Sequence, residues 1–270
     1  MRSWSAILDN LFFSLPIIWR VVIIFIVLSL MVIVARKKKF LTLSGTIGAV
    51  VVGLIVFYIG GISGFVLLLF FFLSSSIITK LTKNEAGDRK GRSIMQVIAN
   101  GLPCCIALIL YRLSPYPDAF LVAFAASIAE AEADTLSGEI GRLSHKDPVS
   151  IITFTRLPKG ISGGVTVLGL SAGVLSSFLI ALLFAGTFGS TLQAFLTIAA
   201  SGFLGSVFDS FLGATLQVQY RTKDGRLTED EYDGEERNER ARGIRWIDND
   251  MVNLLSGLFS FSIASVLALL

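Results

Sequence analysis

The chain has 270 residues, of which 53% are hydrophobic and 16% are charged. Ordinary soluble domains carry about 25% charged residues, so the composition excludes a soluble enzyme and a disordered chain. The adjacent Cys104 and Cys105, with a single histidine in the chain, also exclude a disulfide framework and a zinc site. The remaining class is a polytopic integral membrane protein with an all-α fold.

Eight apolar runs are each long enough to cross about 30 Å of hydrocarbon, which takes about 20 residues of helix. The predicted spans are 17–35, 42–60, 62–80, 94–112, 118–137, 161–185, 191–215 and 251–270. The first ends at four consecutive bases without a small-residue cleavage site, which indicates a retained helix and not a signal peptide. Residues 1–15 are expected to lie along the membrane interface.

The basic residues alternate from one connection to the next. Twenty of the 23 Lys and Arg residues fall in every second connection, and the positive-inside rule makes those connections cytoplasmic. The predicted cytoplasmic loops are about 36–41, 80–93, 138–160 and 216–250. Both termini are therefore predicted to be outside, and residues 1–270 form one transmembrane domain whose polar surface meets cytoplasmic reactants.

Spans two to four resemble spans six to eight in layout. In each triplet a small-residue-rich helix is followed by a returning helix that ends in small polar residues, then by a charged loop and a helix with amides near its cytoplasmic end. This predicts a three-helix parallel repeat with its axis along the membrane normal. Chance similarity is the alternative, because small residues are common in membrane helices.

Acids at the end of the fifth span are the first candidate site. Glu130 and Asp134 share one helical face, and ionisable groups at membrane depth usually mark function. Gly138 and Gly141 are expected to turn the chain and bring Glu139 back toward Asp134. Clustered carboxylates predict a Mg²⁺ site.

The alternative for these acids is a set of ion pairs with Arg142, Lys146 or Arg156 at the membrane surface. We favour ion pairing for Glu132, favour metal binding for Asp134 and Glu139, and leave both roles open for Glu130.

The seventh span carries Asp209 on a glycine stripe within 202–213. The functional interpretation is a further Mg²⁺ ligand. The alternative is a packing face on which Asp209 pairs with Lys80 or Arg92.

Polar stripes descend from the cytoplasmic ends of other spans. Arg92, Gln96 and Asn100 repeat every four residues, Asn253 holds a similar place in the last span, and Lys80 ends the third. Ligand binding and interhelical hydrogen bonding are equally consistent with these positions.

A glycine-rich stretch opens the sixth span from the cytoplasm. Its predicted helix start at Gly160–Gly164, including Gly163 and Gly164, would present free amides to an anion, and Arg156 and Lys159 add charge. The P-loop pattern is absent. An acid cluster beside an anion site predicts phosphoryl or nucleotidyl transfer to a lipid head group.

Six ordered motifs match a known family. They are SSSIITK (74–80), RSIMQVIANG (92–101), ADTLSGEIG (133–141), GGVT (163–166), GSVFDSFLGATLQ (205–217) and NDMVN (249–253). From about residue 40 onward the chain resembles the integral membrane family that includes transmembrane protein 19 and the plant phytyl-phosphate kinase.

The resemblance implies a CTP-dependent kinase that converts an isoprenyl monophosphate of phytyl or geranylgeranyl type to the diphosphate. Asp134, Glu139 and Asp209 match its acidic motif positions, and Lys80, Arg92, Asn100 and Asn253 match its polar ones. The expected partners are a nucleoside triphosphate, Mg²⁺, an isoprenoid lipid phosphate and the bilayer, with no nucleic acid. The expected location is the plasma membrane of a prokaryote, with the site facing the cytoplasm.

Two other classes remain open. A polyprenol or lipid-alcohol kinase, or a cytidylyltransferase, would use similar residues. A secondary transporter of an anion or isoprenoid would need polar access from both faces, and the outer halves of the spans are nearly bare of polar groups. The loop 216–249 carries no known motif and is expected to be solvated; the alternative is a loop that covers a bound nucleotide.

Overall fold

The computed structural model describes residues 4–82 and 91–270, and within these ranges the chain is mostly helical. The helices are α1 (Trp4–Ser14), α2 (Ile17–Lys37), α3 (Leu43–Thr82), α4 (Ile94–Leu113), α5 (Pro117–Gly141), α6 (Val167–Phe188), α7 (Leu192–Thr215) and α8 (Asn249–Leu269). The strands are β1 (Val149–Ser150), β2 (Gly164–Val165), β3 (Gln219–Arg221), β4 (Leu227–Thr228), β5 (Tyr232–Asp233), β6 (Glu236–Arg237) and β7 (Glu239–Arg242). Arg2 and the bases of the 83–90 stretch, which entered the charge argument, lie outside the described residues.

Helix α3 is a hairpin of two helices joined at Gly61, which has φ 69°. The rings of Phe57 and Phe65 stack at 4.7 Å, whereas eight residues of straight helix would separate them by about 12 Å. The chain therefore turns back at Gly61, between the predicted spans 42–60 and 62–80. Only glycine adopts this positive φ without strain.

The N-terminal helix α1 caps the second half of that hairpin. Asp9 Oδ1 accepts hydrogen bonds from the backbone N–H of Ile62 at 2.7 Å and of Ser63 at 3.1 Å. These are amides that a helix start leaves without partners. The bond holds α1 beside the Gly61 turn, which the basic residues assign to the outer face.

Six helices in the described ranges are long and apolar enough to cross a membrane. They are α2, α3, α4, α6, α7 and α8, and at 40 residues α3 is about 60 Å of helix, enough for two crossings. Helix α5 falls outside that set because of its acids, yet it is the most enclosed helix in the bundle. Its alanines from Ala123 to Ala133 are fully buried.

Helix α5 is the centre of the bundle and contacts α3, α4, α6, α7 and α8. Small residues permit these close approaches. A Cβ at Gly202 of α7 would lie 2.6 Å from the Cβ of Ala129, and one at Gly257 of α8 would lie 2.8 Å from Pro103 of α4. The glycine stripe of α7 thus faces α5, as the packing interpretation predicts.

The start of the sixth span differs from the prediction. Helix α6 begins at Val167, after the N-cap Thr166, and not at 161. Residues 160–165 instead form a loop in which Gly160 and Gly163 both have φ 87°, and β2 pairs with β1 in an antiparallel ladder. The glycines at these two positions allow the chain to turn, because glycine adopts a positive φ without strain.

The connection 216–250 is folded and not merely a solvated loop. It forms the sheet β4-β3-β7 and the hairpin β5-β6. Arg242 ties the sheet to the end of α7, since its guanidinium donates to Gln219 Oε1 at 2.8 Å and to the carbonyl of Gly213 at 3.3 Å. The all-α prediction therefore applies to the membrane part of the chain, and the strands lie in two connections.

Candidate functional site

A polar cavity of about 1290 Å³ opens at the end of the bundle that the basic residues assign to the cytoplasm. It lies where α3, α4, α5, α7 and α8 converge, under the 160–166 loop. Eleven of the twelve predicted site residues line it: Lys80, Arg92, Gln96, Asn100, Asp134, Glu139, Lys159, Gly163, Gly164, Asp209 and Asn253. Arg156 does not, because it lies exposed on the turn after β1.

Asp134 and Asp209 both line the cavity, and their carboxyl groups face each other. Their carboxyl groups are within hydrogen-bonding range. Asp134 comes from α5 and Asp209 from the glycine stripe of α7, and that stripe lets the two helix backbones approach closely. The expected alternative partners of Asp209, Lys80 and Arg92, are not its neighbours.

A third acid, Glu130, lies one turn deeper on the same face of α5. It is 2% exposed, and its Oε1 accepts from Ser256 Oγ at 2.7 Å. The same hydroxyl lies 3.3 Å from Asp209 Oδ2. With its amide nitrogen turned toward acceptors, Asn253 donates to Asp209 Oδ2 at 3.0 Å. Among the residues that the structure describes, neutral hydrogen-bonding groups and not cations therefore surround this acid face.

Glu139 lies on the other side of α5. The prediction that Gly138 and Gly141 turn the chain is wrong, because α5 continues through Gly141. Five residues of helix rotate a side chain by about 140°, so Glu139 points away from Asp134. Its Oε2 accepts from Thr82 Oγ1 at 2.6 Å.

Glu132 shares that second face and is 1% exposed. Its neighbours are Ser74 of α3 and the guanidinium of Arg92, and its Oε2 has no hydrogen-bond partner among the described residues. The expected ion pairs of Glu132 with Arg142, Lys146 or Arg156 are therefore wrong. The guanidinium of Arg92, just before the start of α4, offsets the charge of Glu132 instead.

Arg92 is the cation of this second face. Its guanidinium lies 5.7 Å from the centre of the Phe71 ring. Burial lowers the pKa of Arg92 from its usual range, while the charges of Glu132 and Glu139 act in the opposite direction. Arg92 lines the cavity and places positive charge there, near Glu132 and Glu139.

The amides predicted for ligand binding on α4 are partly engaged in their own helix. Gln96 Oε1 accepts from the Ser93 amide in a capping box, and Asn100 Nδ2 donates to the Gln96 carbonyl at 2.9 Å. Both side chains nevertheless reach the cavity wall. They therefore stabilise the helix start and retain free donor or acceptor atoms.

The 160–166 loop forms the roof of the cavity. The backbone N–H of Ser162 donates to Glu229 Oε1 at 2.8 Å, so an anionic group already occupies one amide of the predicted anion site. Lys159 Nζ donates to the carbonyl of Ser144 at 2.5 Å, just beyond the C-terminus of α5, where the helix dipole favours a cation.

Sequence reasoning missed several lining residues. Lys38 and Lys39 belong to a base run that was interpreted only as an orientation signal, and Glu229 and Asp230 belong to a loop without a motif. Only contacts between distant elements identify these residues.

The acid pair fits a magnesium ion better than the predicted triad does. The described residues contain no group of three or more His, Cys, Asp or Glu side chains arranged to hold a metal. Magnesium is usually held by one or two carboxylates, with water and substrate phosphates as its other ligands. Asp134 and Asp209, with no described cation between them, meet that requirement.

The fold and the cavity define a polytopic helical membrane protein with a charged site at one membrane face. The sequence profile of the family described as "Integral membrane protein DUF92" matches residues 26–261. The chain belongs to this family, which confirms the family resemblance that the motifs indicated.

Three relatives illustrate the match. An uncharacterized membrane protein of Methanocaldococcus jannaschii is 33% identical over 73% of this chain and 82% of its own length. Protein PGR of Arabidopsis thaliana is 32% identical over 92% of this chain and 97% of its own. The chloroplastic protein VTE6 of the same plant is 26% identical over 85% and 65%. No solved structure matches the chain.

Proposed function

We propose that this protein is a membrane-embedded prenyl-phosphate kinase, which transfers the terminal phosphoryl group of a nucleoside triphosphate, CTP by resemblance, to an isoprenyl monophosphate at the cytoplasmic face. The observation that carries the proposal is the cavity itself: it combines a paired carboxylate face, Asp134 and Asp209, with a cationic wall at Arg92 and Lys80. The family resemblance supports the choice of substrate class.

The carboxylate pair accounts for the nucleotide side of the site. Asp134 and Asp209 would hold Mg²⁺, which when bound neutralises the charge of transferring phosphates. Asn253 and Ser256 fix the orientation of Asp209 through hydrogen bonds. Amides of the Gly163–Gly164 loop and Lys159 would contact the phosphates of the nucleotide. The nucleotide would displace Glu229 from its hydrogen bond with the Ser162 amide.

The cationic wall accounts for the acceptor side. Arg92 and Lys80 would bind the monophosphate of the acceptor, and Arg92 is suited to this because its planar guanidinium binds phosphate in a bidentate manner. An oxygen of that phosphate attacks the terminal phosphorus; one P–O bond forms, the P–O bond to the leaving nucleoside diphosphate breaks, and the acceptor becomes a diphosphate. A phosphate dianion is already a nucleophile, so the step needs no general base.

The test uses purified protein in detergent with Mg²⁺, CTP labelled at the γ-phosphate and geranylgeranyl monophosphate. We expect labelled diphosphate from the wild type and none from Asp134→Asn. Product with geranylgeraniol but not with its monophosphate would reassign the enzyme as a lipid-alcohol kinase. Release of pyrophosphate would indicate a cytidylyltransferase.

The control for folding is the elution profile and melting temperature of both proteins. Folded wild-type protein that makes no product with CTP, ATP, GTP or UTP would contradict the proposal. Flux of prenyl phosphate or inorganic phosphate across vesicles would then be measured, and flux would indicate a transporter.

A further inference from the structure

We infer that the groove between α2 and the first half of α3 binds the isoprenoid tail of the acceptor, so that the tail lies at the lipid-facing side of the hairpin and not within the bundle. This inference rests on the proposed function for the identity of the ligand. It names a second site on the chain and assigns to α2 a role that the polar cavity does not give it.

The groove is hydrocarbon-lined and has the volume of a ligand site. Its volume is about 720 Å³, within the range of about 300–1,000 Å³ typical of small-molecule sites. Its walls are apolar side chains of two helices, among them Phe25 and Val32 of α2 and Val50 and Leu54 of α3. A groove of this composition binds a hydrocarbon chain and offers almost nothing to a polar ligand.

The length and position of the groove match a prenyl chain that enters from the bilayer. Its α2 wall runs from Val21 to Ile33, about 18 Å at the helical rise per residue. Helix α2 packs loosely, with 11% of its apolar window buried. A lipid substrate can therefore enter sideways from the membrane without opening the bundle.

The groove leads to the polar cavity. Ile33 lies four residues, about 6 Å of helix, before the end of α2 at Lys37. The segment that follows, Lys38 to Phe40, lines the polar cavity. Lys80 Nζ lies 6.0 Å from the centre of the Phe40 ring, so Lys80 is close to this segment. The phosphate of a prenyl monophosphate whose tail lies in the groove would thus lie beside Lys38, Lys39 and Lys80.

The charges at this junction match a phosphate end. In the parts of the chain that the structure describes, Lys38, Lys39 and Lys80 form no salt bridge with a carboxylate. Three exposed cations without an acid partner line the polar cavity beyond the end of α2, and such charges fit an amphiphile with one anionic end. A zwitterionic bilayer lipid has no comparable match.

Activity gives the first test. Leu54→Trp fills the groove at a position that is 42% exposed, and Val51→Trp is the matched control, 51% exposed on the same helix but outside the groove. The measured quantity is the ratio of kcat/KM for a C20 prenyl monophosphate to that for a C5 prenyl monophosphate. Displacing about two methylene groups predicts a fall of about tenfold in this ratio for Leu54→Trp.

Val51→Trp should leave the ratio unchanged. An unchanged ratio in Leu54→Trp, or an equal fall in both variants, would overturn the assignment of the groove. Size-exclusion elution like that of wild type shows that each variant is folded.

Photolabelling separates this inference from the proposed function. Wild-type protein in phosphatidylcholine nanodiscs is irradiated with C20 prenyl monophosphate that carries a diazirine at the end of the tail, and the labelled peptides are mapped. We expect labels on α2 and α3. Unlabelled prenyl monophosphate should remove these labels, and added phosphatidylcholine should not. This result would support the groove as the tail site even if no turnover is found.

Three outcomes would overturn it: labels confined to the inner helices, labels that phosphatidylcholine removes equally well, or cross-linking of α2 between two copies of the chain, which would make the groove a dimer contact.

Discussion

The two faces of α5 carry the same kind of residue in different surroundings. Toward α7 and α8, Glu130 and Asp134 meet a further acid, Asp209, and neutral hydroxyl and amide groups. Toward α3 and α4, Glu132 and Glu139 meet the guanidinium of Arg92. One face is an acid cluster without a described cation, and the other is balanced by the protein itself.

The first face therefore carries negative charge that no described cation offsets, whereas the charge of the second face is partly offset by Arg92. Like charges held together destabilise a protein unless a ligand supplies the opposite charge, so the first face favours activity at the expense of stability. A buried pair costs little while it is intact and much when one partner is lost. Substitutions on the two faces should therefore have opposite effects on stability.

The largest effect is expected from Asp134→Asn. If Asp134 holds Mg²⁺ as proposed, loss of this carboxylate should lower kcat by about 10³-fold or more. The same change removes a charge from the acid cluster, so the melting temperature without Mg²⁺ should rise. Phosphoryl transfer and thermal unfolding in detergent measure the two quantities. If Asp134→Asn loses both activity and stability, the two faces of α5 do not differ in how their charges affect stability.

Arg92→Gln should have the largest effect on stability. It removes the positive charge that offsets the buried Glu132, so the free energy of unfolding should fall, by less than the about 3–5 kcal/mol lost when a contacting buried pair is broken. The double variant with Glu132→Gln should recover most of that loss but not the affinity for the acceptor phosphate. Denaturation and KM for the acceptor test this, and Arg142→Gln, at an exposed position, is the control.

Glu139→Gln should have a smaller effect. Glu139 keeps its hydrogen bond with Thr82 after the change, and its pair with Arg142 is loose, with 3.9 Å between Arg142 Nη1 and Glu139 Oε2. Because Arg142 is exposed and the contact is long, we expect this pair to contribute no more than about 1 kcal/mol. Mg²⁺ dependence of turnover should be unchanged. A large shift in the Mg²⁺ concentration that turnover requires would indicate that Glu139 is a metal ligand after all.

Arg156→Ala should have the smallest effect. Its side chain is exposed and does not line the cavity, and surface substitutions of this kind usually change stability by less than about 0.5 kcal/mol. The KM for CTP should stay within about twofold of the wild type. A tenfold rise would mean that the turn after β1 moves into the cavity when nucleotide binds.

The sequence predicts the membrane helices well because the bilayer constrains them strongly. Apolar runs of about 20 residues and the distribution of bases identify the helical segments, including the break at Gly61. The acids of α5 and α7 are also identifiable, because ionisable residues are rare at membrane depth. Their partners are not, since Ser256 and Arg92 reach them only through packing between distant helices.

Glycine caused the two main errors, in opposite directions. Gly138 and Gly141 were expected to turn the chain, but they lie within α5, where Gly141 lets Gly169 of α6 approach closely. Gly160 and Gly163 were expected to begin a helix, but they form turns with positive φ. A glycine permits both close packing and unusual backbone angles, and sequence alone does not distinguish these uses.

The cap that Asp9 provides has a consequence for how the chain is made. Asp9 leaves the ribosome 53 residues before Ile62, its hydrogen-bond partner. The N-terminal helix therefore lacks this partner until α2 and the first half of α3 have been made and inserted. The bond can close only after both crossings are complete, so its formation marks the correct insertion of the first hairpin during biosynthesis.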